Sequence, residues 1–279
     1  MSHAPPPAEI EDPRTTYRRL VSAIRTLEGV VVAFSGGVDS SLLLAAAHDA
    51  LGPRALAVTA LSPTYPAHEF ERAVALAGRI GARHLLLESR EMEDARFTAN
   101  PPDRCYYCKR ELFGLLRTVA AREGLPVILD GTHHDDRLDL RPGRRAAQEL
   151  QVRSPLAELG LDKNTLRRMA RERGLPNWNA PPAACLASRI PYGQTITPAR
   201  LRRVDAAEQA IRALGCSLVR VRDHGDLARV ELDPEALDRT LHLENRRRLV
   251  EACRRQGYTF VCLDLEGYRT GSMNEALAR

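Results

Sequence analysis

Apolar residues along the chain fall into short runs separated by stretches with a helical period. The run VVAF (31–34) ends in a glycine turn, and SSLLLAAAHDALG (40–52) follows as the first long helical stretch. The alternation then repeats as strand RALAVTAL (54–61), helix PAHEFERAVALAGRIG (66–81), strand RHLLLES (83–89), helix KRELFGLLRTVAAREG (109–124) and strand PVILDGT (126–132). Strands alternating with helices of about ten to fifteen residues predict βαβ units and a parallel sheet. The expected fold class is therefore α/β, a doubly wound parallel sheet of nucleotide-binding type. Ligands of such sheets lie beyond the carboxyl ends of the strands. That places SGGVDS (35–40), the loop approaching the CYYC stretch (105–108) and DGTHHDD (130–136) on one edge.

The pattern changes after the helix DKNTLRRMARERG (162–174). The stretch LPNWNAPPAACLASRIPYGQ (175–194) has no period, and its prolines forbid regular structure over most of its length. A loop of this length is usually kept for function. Beyond it the order becomes helix TPARLRRVDAAEQAIRALG (197–215), strands SLVRVRDHG (217–225) and LARVEL (227–232), one or two helices, and strand TFVCLDL (259–265). This predicts a smaller C-terminal α+β domain with an antiparallel pair. The expected division is a disordered tail over 1–16, a nucleotide-binding domain over 17–180, a functional loop over 181–195 and the α+β unit over 196–279.

Composition narrows the functional classes. With 44% hydrophobic and 28% charged residues the chain is of ordinary soluble type, and 5% aromatics disfavours a surface that stacks single-stranded nucleic acid. No apolar run approaches the about 18 residues needed to span a bilayer, and MSHAPPPAEIEDP lacks the basic and apolar regions of a secretion signal. The expectation is a cytoplasmic protein with no membrane partner. The net charge of +5 suits a phosphate-bearing substrate, while the arginine runs lie on helix patterns where a solvated face explains them. Nucleic acid is thus not the expected partner. The six cysteines read as thiols and ligands rather than disulfides.

AFSGGVDSS (33–41) joins the first strand to its helix. Gly36 and Gly37 let the backbone turn and approach an anion, while helix-start N–H groups and the hydroxyls of Ser35, Ser40 and Ser41 can grip phosphate. A Walker A loop would need different spacing and a lysine. Asp39 in that lysine's stead makes sense if it holds Mg²⁺ against a leaving pyrophosphate. The SGGxDS hexad resembles the PP-loop of the ATP pyrophosphatase superfamily, which includes GMP and NAD synthetases. That resemblance implies ATP as cosubstrate, with AMP attached to a substrate oxygen and pyrophosphate leaving.

Cysteines supply a candidate nucleophile. Cys185 lies in the irregular loop near Arg189, a cation that could favour its thiolate. With Cys105 and Cys108 it could hold a 4Fe-4S cluster with one iron lacking a protein ligand. A zinc site closed by His133 or His134 and a redox disulfide are the alternatives. Cys216, Cys253 and Cys262 sit in helix or strand patterns and read as small hydrophobes.

DGTHHDDRLDLRPGRRAAQELQVRSPLAELGLDKNTLR (130–167), PAACLASRIPYGQTIT (182–197) and GYRTGSMNEAL (267–277) together resemble the LarE family of ATP-dependent sulfur transferases, and the resemblance runs from about residue 20 to the C-terminus. It implies adenylation of the carboxylates of pyridinium-3,5-biscarboxylic acid mononucleotide and their conversion to thiocarboxylates for the nickel-pincer cofactor. One branch of that family sacrifices a lone cysteine sulfur; the other carries sulfide on a cluster held by three cysteines. Having Cys105, Cys108 and Cys185, this chain is expected in the second branch, with a separate sulfide donor. His133 departs from the family's more frequent DGTN, and both histidines read as packed loop residues. Arg220 and Arg222 share one strand face, and two guanidiniums side by side suit a phosphate. The resemblance implies that they bind the substrate phosphate with Glu208 and Glu231 nearby, and that the chain forms a homo-oligomer, a hexamer. Two other readings stay open: a tRNA-thiolating enzyme, and a nucleotide-binding metal sensor without catalysis.

Overall fold

The computed structural model describes residues 12–137, 142–182, 184–269 and 271–277. Its first element is helix α1 (Pro13–Arg25), with Pro13 at the first helical position and the Asp12 carboxylate accepting from Thr15 N at 3.1 Å. A capping aspartate followed by proline is an ordinary helix start, because the missing N–H would be unpaired there anyway. The tail expected over 1–16 therefore overlaps a helical turn at its end; residues 1–11 lie outside the described residues.

Strands β1 (Val30–Ala33), β2 (Ala55–Leu61), β3 (Arg83–Glu88) and β4 (Val127–Leu129) form a sheet in the order β3-β2-β1-β4, every pair parallel. Helices α2 (Val38–Leu51), α3 (Ala67–Ile80), the short α4 (Ala95–Thr98) and α5 (Arg104–Glu123) connect these strands. The helices α6 (Gly143–Glu149), α7 (Pro155–Glu158) and α8 (Lys163–Glu172) follow β4. Val30 and Val32 of β1 face a core with Leu20 and Ile24 of α1, Leu42 and Leu43 of α2 and Leu166 of α8. Val31 faces the opposite core with Phe113 and Leu116 of α5 and Ala146 of α6. Burial on both faces is why β1 reads as an unbroken apolar run. The expected doubly wound sheet is present. The order of strand addition reverses between β1 and β4, and the crevice beyond their carboxyl ends is the ligand position such sheets offer.

One boundary differs in a way that matters. The helix expected from 109 begins at Arg104, so Cys105 and Cys108 lie in the opening two turns of α5 rather than in the loop before it. Pro101 and Pro102 block helix immediately upstream, and the helix starts as soon as they have passed.

The C-terminal unit comprises α9 (Pro198–Arg212), β5 (Val219–His224), β6 (Leu227–Leu232), α10 (Pro234–Thr240), α11 (Leu243–Arg254) and β7 (Phe260–Leu263). Its sheet has the order β5-β6-β7, antiparallel between β5 and β6 and parallel between β6 and β7. The expected hairpin is there, and the helical crossover makes the last strand parallel. Ala207, Ile211, Val219, Val221, Val230 and Tyr258 fill its core. The aperiodic segment between the two units is packed: Leu186, Ala187 and Ile190 are buried with Phe97, Leu201 and Val204.

Candidate functional site

At the carboxyl end of β1 the chain reverses through Gly36, whose φ of 66° is costly for other residues. A Cβ there would also lie 2.9 Å from Ala73 Cα, so the loop presses against α3 as only glycine permits. The loop is internally bonded. The Ser35 and Ser40 hydroxyls are 3.1 Å apart, Gly37 N donates to Ser35 Oγ at 3.4 Å, and Ser40 Oγ donates to Gly37 O at 3.2 Å. Tyr65 donates its hydroxyl to Ser35 O. From behind, Asn177 Nδ2 donates to Gly36 O at 2.9 Å and to the buried Ser41 Oγ at 3.0 Å. On the β4 side, a Cβ on Gly131 would meet Ser40 N at 3.1 Å, so two loops close on one α2 start.

Asp39 projects from the first turn of α2 and meets Lys163 Nζ at the N-terminus of α8. Lys163 N in turn donates to Asp135 Oδ2 at 3.0 Å. The sequence reading missed Lys163, Asn177 and Tyr65. Their only signal was that DKNT opens a capped helix on this side of the sheet, and that NW and TY sit in loops at its edge. His133 is packed with Nε2 3.6 Å from Asp136 Oδ2, and the exposed His134 gives its backbone N–H to Leu161 O.

The cysteines approach from two directions. Cys105 and Cys108, three apart at the start of α5, project from one helix face. Cys185 precedes a short 3₁₀ turn, Leu186–Arg189, and Leu186 N donates to Thr64 O at 2.8 Å. Cys108 packs against the cluster that contains Leu186 and Ala187. Burial pushes the Cys108 thiol up, and the charges of Cys185, Glu91 and Cys105 add to the effect. Burial also raises the Cys185 thiol; Arg104 is the first influence opposing it, Cys105 raises it further and the Thr64 hydroxyl lowers it. Cys185 keeps some accessible surface while sitting in a crowded recess, which is how an exposed thiol comes to be desolvated. All three thiols thus lie within electrostatic reach of one another. The expectation that a neighbouring cation leaves Cys185 as a ready thiolate is not met, because desolvation wins.

Glu91 is a further residue the sequence did not single out. It is 1% exposed, and its carboxylate accepts from the hydroxyls of Ser62, Thr64 and Ser89.

Arg189 lies beneath the Cys185 turn, 1% exposed, with Nε 2.8 Å and Nη2 3.0 Å from the two Glu208 oxygens. Its Nη1 donates to Ala184 O at 2.7 Å and Cys185 O at 3.1 Å. Arg222 is paired with Glu231 at 3.0 and 2.6 Å, and donates to Ser188 O at 3.1 Å. Arg220 donates to Pro182 O at 2.8 Å, and its guanidinium faces the Tyr268 ring at 5.3 Å. Burial, then repulsion from Arg189, lowers the Arg220 pKa to about 10. The C-terminal strand face therefore grips the carbonyls of the segment that carries Cys185. The sequence placed Arg220 and Arg222 side by side but could not show what covers them.

Among the described residues, no group of three or more His, Cys, Asp or Glu side chains is gathered so as to hold a metal ion, Cys105, Cys108 and Cys185 included.

The NAD synthase family model matches residues 11–100, the stretch that contains the PP-loop and ends before Cys105. A pyridinium-3,5-bisthiocarboxylic acid mononucleotide synthase of Lactiplantibacillus plantarum is 40% identical over 266 residues, covering 95% of this chain and 96% of that protein. The chain belongs to the LarE family. An uncharacterized protein of Synechocystis sp. is 44% identical over 253 residues, 91% of this chain and 94% of its own length. Another, of Methanocaldococcus jannaschii, is 28% identical over 242 residues, 86% and 91% of the two chains. LarE-family likeness thus covers both sheets and the segment between them, while the broader PP-loop likeness covers the ATP loop. Among the described residues no helix is long and apolar enough to cross a membrane.

Proposed function

We propose that the chain is an ATP-dependent sulfur transferase that adenylates the carboxylates of pyridinium-3,5-biscarboxylic acid mononucleotide and converts them to thiocarboxylates. The observation that carries this reading is the near full-length likeness to a pyridinium-3,5-bisthiocarboxylic acid mononucleotide synthase. The electrostatic influence of Cys105, Cys108 and Cys185 on one another, with Cys108 packed against the Leu186 turn, supports the sulfur-carrying half of it.

The loop from Ser35 to Ser41 offers helix-start N–H groups and hydroxyls to the ATP phosphates. Asp39 would hold Mg²⁺, which would supply charge neutralisation at the departing pyrophosphate. Lys163 then turns from Asp39 to a phosphate oxygen, an exchange of one anion for another at the same cation. A substrate carboxylate oxygen bonds to the α-phosphorus as pyrophosphate leaves, and a sulfur nucleophile displaces AMP from the acyl carbon. Cys105, Cys108 and Cys185 would hold a 4Fe-4S cluster, which supplies an iron without a protein ligand as the place for a transferable sulfide. Arg220 is the best-supported of the four C-terminal candidates for the substrate phosphate: it is buried and its hydrogen-bond acceptors are main-chain carbonyls, so an anion there relieves a desolvated cation. Arg222 paired with Glu231, and Arg189 paired with Glu208, support the turn beside it. The assembly is read as a homo-oligomer supplied by a separate sulfide donor.

Anaerobic reconstitution with iron and sulfide, elemental analysis and pyrophosphate measurement test the reading together. Expected are iron bound by the wild type, pyrophosphate released only with the dicarboxylate mononucleotide, and loss of multiple turnovers in Cys105→Ala. A protein that takes up one zinc and no iron overturns the cluster assignment; ATP binding without substrate-dependent pyrophosphate overturns the enzyme.

A further inference from the structure

Asn100 has no part in the ATP loop and belongs to neither cysteine segment, yet it is fully buried with φ of 58°. We propose that Asn100 is the positioning residue that keeps Cys105 and Cys108 opposite Cys185, by clamping the chain entering α5 onto the chain leaving the Cys185 turn. The inference rests on the reading that the three cysteines act together, and adds what holds them so.

The clamp uses both ends of the amide. Asn100 Nδ2 donates to Ile190 O at 3.1 Å and Pro191 O at 2.8 Å, 90 and 91 positions away. Its Oδ1 accepts from Arg104 Nη1 at 3.1 Å, and Arg104 is the residue before Cys105. Its main-chain O accepts from Gly193 N at 2.9 Å, and two residues earlier Thr98 O accepts from Ile196 N at 2.8 Å. Arg104 extends the tie by lying over the Tyr192 ring, 4.6 Å from its centroid. Ile190 and Pro191 follow the Cys185 turn directly, so a displacement there moves Cys185, and one at Arg104 moves Cys105.

The position explains the residue type. A left-handed φ favours glycine, and asparagine among the rest. Glycine has no amide. Aspartate keeps an acceptor for Arg104 but turns carboxylate oxygen toward the carbonyls of Ile190 and Pro191. Only asparagine meets the backbone conformation, the two acceptors and the one donor together. A non-glycine residue held in this conformation and bonded across 90 positions is how backbone strain is retained where geometry matters.

The test uses Asn100→Gly, which keeps the backbone conformation and deletes the amide, and Asn100→Asp, which reverses its donors. Wild type and variants, each with Cys262→Ser, are treated without metal with a short bifunctional thiol reagent, and crosslinks are mapped by peptide analysis. Crosslinks from Cys185 to Cys105 or Cys108 are expected in the wild type, with a rate lower by about tenfold or more in both variants. ATP affinity, read on the same samples, stays at the wild-type value. Tyr17→Phe, which loosens α1 by removing a hydrogen bond to Asp49, serves as a destabilised control and crosslinks like the wild type. Crosslinking of Asn100→Gly at the wild-type rate overturns the proposal. Absence of crosslinks in the wild type overturns the shared site itself, and the clamp with it. Crosslinking in the wild type without later uptake of iron removes the cluster and leaves the clamp supported.

Discussion

Lys163 Nζ stands 2.6 Å from Oδ1 and 2.7 Å from Oδ2 of Asp39, joining the start of α8 to the first turn of α2 across 124 positions. With side chains 29% and 24% exposed, the pair adds little to stability. Its meaning is local charge: a lysine waits where the PP-loop has none of its own.

Lys163→Ala should therefore cost chemistry and spare the fold. Substrate-dependent pyrophosphate release is expected to fall by about 100-fold, the usual loss when one charge-stabilising donor is removed. Urea unfolding should change by less than about 1 kcal/mol. A large stability loss with normal turnover would show that the lysine is a fastener.

Gly36→Ala places a Cβ 2.9 Å from Ala73 Cα in a backbone with φ of 66°. The strain is about 1–3 kcal/mol, and relief requires the loop to shift away from α3. ATP affinity measured by calorimetry should drop sharply, with the C-terminal unit unaffected.

Arg189→Met leaves Glu208 buried with Arg212 at 2.9 Å and Val221 N at 3.0 Å as remaining partners. A loss of about 3 kcal/mol is expected, toward the low end for breaking a buried pair because those partners persist. Ala184 O and Cys185 O lose their donor at the same time. Labelling of Cys185 by a thiol reagent should accelerate, which unfolding equilibria alone would not report.

Asp223 gives the pH dependence. Burial works to raise its pKa, but hydrogen bonds from Arg200 at 2.9 Å, Arg203 at 2.6 Å and Gly225 N at 3.0 Å outweigh it and hold the carboxyl below its ordinary 3.8. The unfolded chain then takes up the proton first as acid is added. The stabilisation is present above the unfolded value and is lost as pH falls through the folded one, so the decline begins below about pH 5. Asp223→Asn should be less stable at neutral pH and show a shallower acid limb in urea midpoints from neutral pH downward.

Elements fixed by local pattern were readable in the chain, and relations between distant elements were not. The apolar run of β1, the glycine turn after it and the i,i+3 cysteines needed only neighbours to be recognised. The start of α5 was read late because polar and aromatic residues over Arg104–Lys109 hide the period, although Pro101 and Pro102 marked the place. EDPRT carried a cap and a first-turn proline, yet the proline-rich residues before it made the stretch look like tail. Alternation on β5 put Arg220 and Arg222 on one face, but only folding shows that the Cys185 segment covers that face. Lys163 was marked only by a capped helix start and Asn100 by nothing local, since each takes its role from a partner far along the chain.

The cysteine centre inherits a seam from these attachments. Two sulfurs travel with the large sheet through α5, while the third rides a turn tied both to that side, at Thr64 and Asn100, and to the small sheet through arginine contacts to its carbonyls. Prying the halves apart would therefore scatter the three sulfurs before either core had melted, so inactivation by mild heat should precede unfolding.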